Sequence, residues 1–448
     1  MLFAGLCERL VRPRPLARVF SASVAMIRRH VAPVRNRLLN SVAFLRRKLL
    51  RHATFIGVTG SCGKTTTTTL IGSILSASGK TQVGAGRNGT NRVVRNILSV
   101  DASTRYCVQE LSATHLKASL SSLAPQIGVI TNVGSDHYKI FRTLEAVAQA
   151  KGLLVERLPR TGTAILNADD PYVRAMAPRT RAEVITFGAS SGAHIRATDI
   201  SAAWPDRLAM TVTHNGESVR VETQLVGEHW VTSVLAAIAC GVVCGVDLVT
   251  CATAVAVVEP VFGRCSVHGK ASGAVYVLDS WKASLWTIAS GLNFVKSARA
   301  PRKTVVFGTI SDYSGKASTR YRKVAQEALD IADRVVFVGP GLTYMEKLHR
   351  EDLRDRLFTF QTTYEASAFL SKGVKRGELI YIKASGIDHL ERIMLSQLDE
   401  VVCWREKCGV NRNCPACRSY RTPAPSPHEF GATLSDRAEL APVLVAAK

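Results

Sequence analysis

The sequence predicts an α/β protein built from two mostly parallel sheets in series. Three observations carry that prediction. Short apolar runs of strand length alternate with helical segments over residues 53–258, and the alternation restarts over 259–402. A glycine-rich loop ending in Lys64-Thr65 stands between the first such run and a helix. A chain of 448 residues, 46% apolar, has core enough for two or three domains.

The loop organises the rest. Phe55, Ile56 and Val58 read as the end of a buried strand, and Gly57, Gly60 and Gly63 let the backbone turn tightly. A helix starts near Lys64. Backbone N–H groups from Gly60, Ser61, Cys62, Gly63, Lys64, Thr65 and Thr66 then face phosphate oxygens, aided by the positive end of the helix. Lys64 meets the outer phosphates and the Thr65 hydroxyl sits on a magnesium ion. The commoner GxxxxGK[ST] spacing needs glycine at 58, where this chain has Val58; its own pattern is GxxGxxGKT. A glycine-rich turn that binds nothing is the plainer alternative, but strand, glycines, Lys-Thr and helix all coincide. The run Thr65–Thr69 is a poor helix former, so something other than propensity must hold that helix.

The formal charge is +23. Residues 1–52 carry twelve Lys/Arg and one acid, Glu8, so +11 resides there. Arginine interrupts this arm too often for a secretory signal. Leu38, Val42, Leu45 and Leu49 fall at helical spacing beside Arg46, Arg47 and Lys48. That is a short basic amphipathic helix suited to an anionic membrane surface. An organelle leader and a disordered or loosely docked extension are the other readings.

In the central region, strands are expected at Phe55–Thr59, Tyr106–Glu110, Ile127–Thr131 and Thr163–Asn167. The nearly uncharged stretch Val231–Val258 has the length of a membrane span, but Ala, Gly and Cys fill it and Asp247 interrupts it. It reads as two buried helices, turned at Gly241 and Gly245 and N-capped by Asp247. Glu259 to Gly263 is the expected hinge. Beyond it, Val275–Asp279, Thr304–Gly308, Arg334–Val338 and Leu379–Lys383 are strands and Tyr321–Ala332 is helical, making a second, Rossmann-like domain. Residues 403–420 hold a cysteine cluster, and 421–448 look disordered.

Acidic and basic residues recur at the carboxyl ends of these strands, where ligands of open α/β sheets lie. Glu110 closes one strand. TNVGSDH, Thr131 to His137, follows another and offers Asp136 and His137. Lys151 lies about fourteen residues on, and Asp279 closes the first strand of the second domain. Singly, each has a plain reading: a helix cap, an ordinary histidine, a solvated lysine.

Together with their order, the blocks resemble one family. GVTGSCGKTT, QELSA, TNVGSDH, AKGLLVERLPRTGTAILNADDP and GEHWVTSVLAAIA look like the central domain of the Mur ligases. GRCSV, LDSWKAS, VVFGTISDYSG and GELIYIKAS continue the match in the order of the D-alanyl-D-alanine-adding member and of the ligase half of cyanophycin synthetases. The resemblance covers about residues 53–395. It implies a ligase that uses ATP and magnesium to turn a carboxylate into an acyl phosphate, which an amine then attacks. It also implies roles for residues: Lys64 and Thr65 on ATP phosphates and magnesium, Glu110 and His137 as magnesium ligands, Lys151 as a carbamylated lysine. Arg264 and Asp279 match nucleotide contacts beside the hinge, and Asn88 or Asn91 matches an asparagine of the family.

Three departures stand out. Where the family reads G-x-H-N-x-x-N near adenine, this chain has Trp230 and Ser233; Trp230 either stacks on a base or fills core. The DDSYNANP block appears as LDSWKASL, with Lys282 available to a phosphate or an acyl acceptor. The family's first domain, which grips a uridine nucleotide, is expected to be missing, which points to a specialised peptide, polymer or metabolite pathway. A peptidoglycan-precursor ligase with an unusual substrate grip is the alternative.

Cys403, Cys408, Cys414 and Cys417 form C-x4-C-x5-C-x2-C. Structural zinc, an iron–sulfur or redox role, and unliganded thiols all remain open. The other seven cysteines read as small buried hydrophobes of a reducing compartment. The expected setting is cytoplasmic, peripheral at a membrane through the basic arm, as a monomer or homodimer. Nucleic acid is an unlikely partner, since aromatics make up only 6% of the chain and stacking surfaces are poor. A nucleic-acid binder and a membrane-surface scaffold with a degenerate ATPase are the rivals to the enzyme.

Overall fold

The computed structural model describes residues 38–420 apart from 87, 270–272, 346, 347, 349, 350, 407, 411, 418 and 419. Most of the basic arm and the segment 421–448 lie outside the described residues. A first helix, α1, spans 38–49. The central unit then runs β1 (Thr54–Thr59), α2 (Lys64–Ser76), β2 (Thr81–Gly84), α3 (Thr90–Leu98), β3 (Tyr106–Glu110), α4 (Leu116–Leu123), β4 (Ile127–Ile130), α5 (Tyr138–Phe141), α6 (Leu144–Glu156), β5 (Thr163–Asn167) and α7 (Pro171–Arg174). It closes with β6 (Glu183–Gly188), β7 (Ile195–Ser201), β8 (Ala209–His214), β9 (Glu217–Glu222), α8 (Val231–Val243) and α9 (Leu248–Ala256).

These strands form one nine-stranded sheet in the order β2-β3-β1-β4-β5-β6-β7-β8-β9. The pairs from β2 to β7 are parallel, and β8 and β9 add an antiparallel edge. That edge corrects the expectation of alternating strands and helices throughout 53–258. The missed signal is Asn215-Gly216, whose φ angles of 49° and 85° make the hairpin turn between β8 and β9.

The fold answers what holds the threonine-rich helix. Helix α2 is clamped between the sheet and the pair α8–α9, with Leu70, Ile71, Ile74 and Leu75 fully buried. Packing of this kind outweighs the weak propensity of Thr65–Thr68. The approach is close: a Cβ on Gly241 would come within 2.6 Å of Ile74 and Cys251. Gly241 therefore serves helix packing inside α8, and the turn to α9 falls at Gly245, φ 82°. Asp247 caps α9 by accepting from the Thr250 N–H at 2.8 Å. No helix among the described residues is long and apolar enough to cross a membrane.

Helices α1, α3, α4 and α6 cover the other face of the sheet. Helix α1 docks through Ala43 and Arg47, and Leu50 just after it is buried beside them. Arg47 donates to the Leu123 carbonyl at 2.8 Å and lies over the Phe55 ring at 3.9 Å. Leu38, Val42, Leu45 and Leu49, the stripe read from the sequence, face outward and are 50–81% exposed.

The second unit comprises β10 (Ser266–Gly269), β11 (Val275–Asp279), α10 (Leu285–Ser297), β12 (Lys303–Phe307), α11 (Ala317–Leu329), β13 (Arg334–Val338), β14 (Leu357–Phe360), α12 (Thr363–Lys372), β15 (Leu379–Lys383) and α13 (Glu391–Leu398). Its sheet is ordered β10-β11-β15-β12-β13-β14, parallel except for β10. Helices α10 and α11 cover one face, α12 and α13 the other. Helix α11 begins four residues before the expected Tyr321, because its first turn is polar and carries no apolar signal. The two units meet at the carboxyl ends of their sheets. There the Trp286 ring packs on Gly134, where a Cβ would lie 2.6 Å from it.

Candidate functional site

Between the units lies a cavity of about 360 Å³, within the range of small-molecule sites. Its floor is the loop between β1 and α2. Gly63 takes φ 77°, and an added Cβ there would stand 2.7 Å from Ser233 Oγ. A Cβ on Gly60 would fall 1.9 Å from Thr131 Oγ1. Both positions therefore require glycine. The loop is held by Asn132, whose Oδ1 accepts from the Ser61 and Cys62 N–H groups at 3.0 and 2.9 Å. Asn132 lies within TNVGSDH, but no spacing rule marks it as a loop anchor in the sequence.

Helix α2 starts at Lys64, whose Nζ donates to the Gly60 carbonyl at 2.7 Å. The next residue, Thr65, donates to Glu110 Oε2 at 2.9 Å. Glu110 ends β3, the parallel neighbour of β1, so the register brings it beside the loop. It also accepts from the Gly86 N–H at 2.6 Å and from Asn88 Nδ2 at 2.9 Å. Asn88, and not the exposed Asn91 on α3, is the asparagine at the site.

Asp136 is the anionic centre. Lys64 and Lys151 each place Nζ 4.0 Å from its carboxylate, Lys282 bonds it directly, and His137 Nε2 lies 3.7 Å away. Burial pushes Asp136 up, but Lys64, Lys282 and Lys151 more than offset this and hold its carboxyl below the usual range. His137 takes a left-handed φ of 52°, and burial lowers its pKa despite Asp136. Lys151, on α6, is wholly buried, and its Nζ has no hydrogen-bond partner. Desolvation, reinforced by Lys64, brings its ammonium down to about 7. A neutral amine at neutral pH is a nucleophile, open to carbon dioxide.

The second unit supplies the opposite wall. Lys282 also reaches Asp312 at 3.1 Å. Asp279 binds Lys383 at 2.6 Å; burial alone raises its pKa, and Lys383 reverses that. Arg264 lies over the Trp281 ring at 5.8 Å. Trp230 lines the cavity with its indole N–H unpartnered, beside His229 at 4.9 Å between ring centroids. Cys62 also lines this cavity, and Cys244 is only half-buried. Cys62 is therefore not the core hydrophobe expected from its sequence surroundings, whereas Cys244 still packs against the main core.

A family model for the Mur ligase middle domain matches residues 58–241, the stretch that carries this loop, Glu110, Asp136 and Lys151. That stretch is a Mur ligase middle domain. The UDP-N-acetylmuramoyl-tripeptide–D-alanyl-D-alanine ligase of Mycobacterium tuberculosis is 28% identical over 359 residues, covering 74% of this chain and 70% of that protein. The UDP-N-acetylmuramoyl-L-alanyl-D-glutamate–2,6-diaminopimelate ligase of Chlorobaculum tepidum is 30% identical over 316 residues, covering 63% and 61%. Among solved structures, MurF from Acinetobacter baumannii superposes with a TM-score of 0.72 at 23% identity, covering 82% of this chain and 81% of that one. MurF ligase from Thermotoga maritima in complex with ADP gives 0.71 at 20% identity, covering 81% and 83%. With this middle domain and these relatives, the chain is an ATP-dependent enzyme that forms carbon–nitrogen bonds.

Proposed function

We propose that this enzyme phosphorylates a carboxylate of a peptidoglycan precursor and passes the acyl group to the amine of an amino acid or peptide. One observation carries the reading. Lys64 and Lys282 converge on Asp136 beside the Thr65–Glu110 pair, at the mouth of a phosphate loop. Moving a phosphoryl group onto a carboxylate brings two anions together, and fixed cations are what that step needs.

In this reading Lys64 grips the outer phosphates, and Lys282 faces the acyl phosphate from the opposite wall. Thr65, Glu110 and His137 offer oxygen and imidazole donors to magnesium, with Lys151 joining them as its carbamate. The amine of Lys151, without a hydrogen-bond partner, fits that modification. Magnesium supplies charge neutralisation on the phosphates when bound. Arg264 and Asp279 sit at the nucleotide end, where Trp230, packed into the core and 6% exposed, also lines the cavity and would meet the adenine. Contact of the two units across the cleft keeps water from the acyl phosphate.

The curated relatives cited above act on UDP-N-acetylmuramoyl compounds. They support the peptidoglycan alternative better than the specialised pathway expected from sequence. The exposed stripe of α1, beside Lys48 and Arg51, supports peripheral contact with anionic lipid from the cytoplasmic side. Co-sedimentation with phosphatidylglycerol vesicles tests that, and loss of binding in Leu45→Asp is the expected outcome.

Phosphate release tests the main reading. UDP-N-acetylmuramoyl-tripeptide with D-alanyl-D-alanine is compared with a panel of other carboxylate and amine pairs, and products are identified by mass. Turnover confined to carboxylates without a muramyl group returns the specialised pathway. Absence of ATP-dependent amide formation with every pair overturns both.

A further inference from the structure

We propose that Cys403, Cys408, Cys414 and Cys417 bind one zinc ion, which braces a wall of the catalytic cleft from behind. The four thiols come from a segment with little regular structure, yet they line a single small cavity together with His389 and Arg392. Cys403, Cys414, His389 and Arg392 are nearly wholly buried, at 4%, 3%, 2% and 2% exposure. Every one of these cysteines is a free thiol. Two buried and two half-exposed unpaired thiols around one cavity are an ordinary way to hold a soft cation.

The surroundings are arranged as a metal's outer partners usually are. Cys414-Pro415-Ala416-Cys417 makes one tight turn, closed by the Cys417 N–H on the Cys414 carbonyl at 2.9 Å. The His389 ring lies between two thiols, with Nε2 3.0 Å from Cys408 Sγ and Nδ1 3.5 Å from Cys414 Sγ. Arg392 Nε donates to Cys414 Sγ at 3.2 Å. A tetrathiolate zinc carries a charge of about −2; the buried guanidinium offsets part of it, and the buried Glu391 carboxylate, within 4.8 Å of His389 and Cys414 donor atoms, is held by the Cys414 N–H at 3.0 Å. The cavity measures about 20 Å³. That is room for one ion or water and not for a cubane cluster, so the structure favours zinc over the iron–sulfur reading.

The position gives the ion a task. Ser385, Gly386 and Ile387, just after β15, line the cleft. Asp388 then pins this loop to the end of β12, accepting from the Thr309 N–H at 2.8 Å and its hydroxyl at 2.7 Å. The next residue, His389, enters the cysteine cavity. The loop is thus held from both sides, by Asp388 toward the cleft and by the zinc site behind it.

The test is metal analysis of the full chain purified without chelator, with thiols titrated before and after chelation. The expected result is one zinc per chain, and more reactive thiols in the native protein after chelation than before it, the increase being confined to the four cluster cysteines by mass mapping. Cys417→Ser, on the half-exposed side of the cavity, is expected to lose the zinc while keeping its far-ultraviolet spectrum. Zinc loss is also expected to increase proteolytic cleavage of 384–390 several-fold. Metal-free protein whose four thiols react freely overturns the proposal. So does iron with stoichiometric sulfide, or full zinc occupancy in both Cys414→Ser and Cys417→Ser.

Discussion

Replacing Lys151 by methionine separates the cost of this residue from its use. The side chain is wholly buried, without a hydrogen-bond partner, and brought from 10.5 to about 7. A drop of about 3.5 units corresponds to about 5 kcal/mol of penalty on the charged form. The folded value lies below the unfolded one, so the folded chain binds fewer protons between about 7 and 10.5. Stability therefore rises with pH across that window, and the penalty is fully present below pH 7. Methionine fills the same space without a charge. The variant is expected to be more stable than wild type by about 2–5 kcal/mol at pH 6, with the gap closing toward pH 10. Urea melts at a series of pH values measure this, and ligation by the variant should be lost. Bicarbonate should stabilise wild type and not the variant, because only an amine forms a carbamate. Parallel stability curves for the two proteins would refute the desolvated amine, and wild-type turnover of the variant would refute its place in the site.

Three further outcomes follow from the geometry. Lys64→Ala removes the only side chain of the loop that reaches both Gly60 and Asp136, and should lower kcat by about 10²–10³-fold or more in the phosphate-release assay. Trp230→Ala should raise KM for ATP about tenfold with little change in kcat, the size of one base–aromatic stack; an unchanged KM would return Trp230 to a core role. Glu378→Ala strands Arg302 and Arg334, which it binds in the second sheet away from the cleft. Calorimetry should show Tm falling by on the order of 10 °C for a loss of about 3–5 kcal/mol, with kcat kept at low temperature.

Much of the site was legible because its residues sit at strand ends, where period and position coincide. Glu110 and Asp279 close apolar runs, and Lys64-Thr65 opens a helix after glycines. What stayed hidden was carried by contacts between distant segments. Asn132 holds the loop through its side chain, 70 residues from Cys62. Asp136 gathers three lysines from α2, α6 and the second unit. Neither arrangement leaves a periodic trace. Helix α1 shows how a correct pattern misleads: its apolar stripe was found, but Ala43 and the aliphatic stem of Arg47, with Leu50 just after the helix, make the buried face.

The sequence alone determined the two α/β units, the phosphate loop with its shifted glycines, and the family resemblance. Those features depend on local spacing and side-chain type, which survive translation into one dimension. Only the tertiary structure decided which cations share Asp136, which asparagine meets Glu110, and that four cysteines close around one small cavity. Those are facts of convergence, and convergence is set by how the sheets and helices pack.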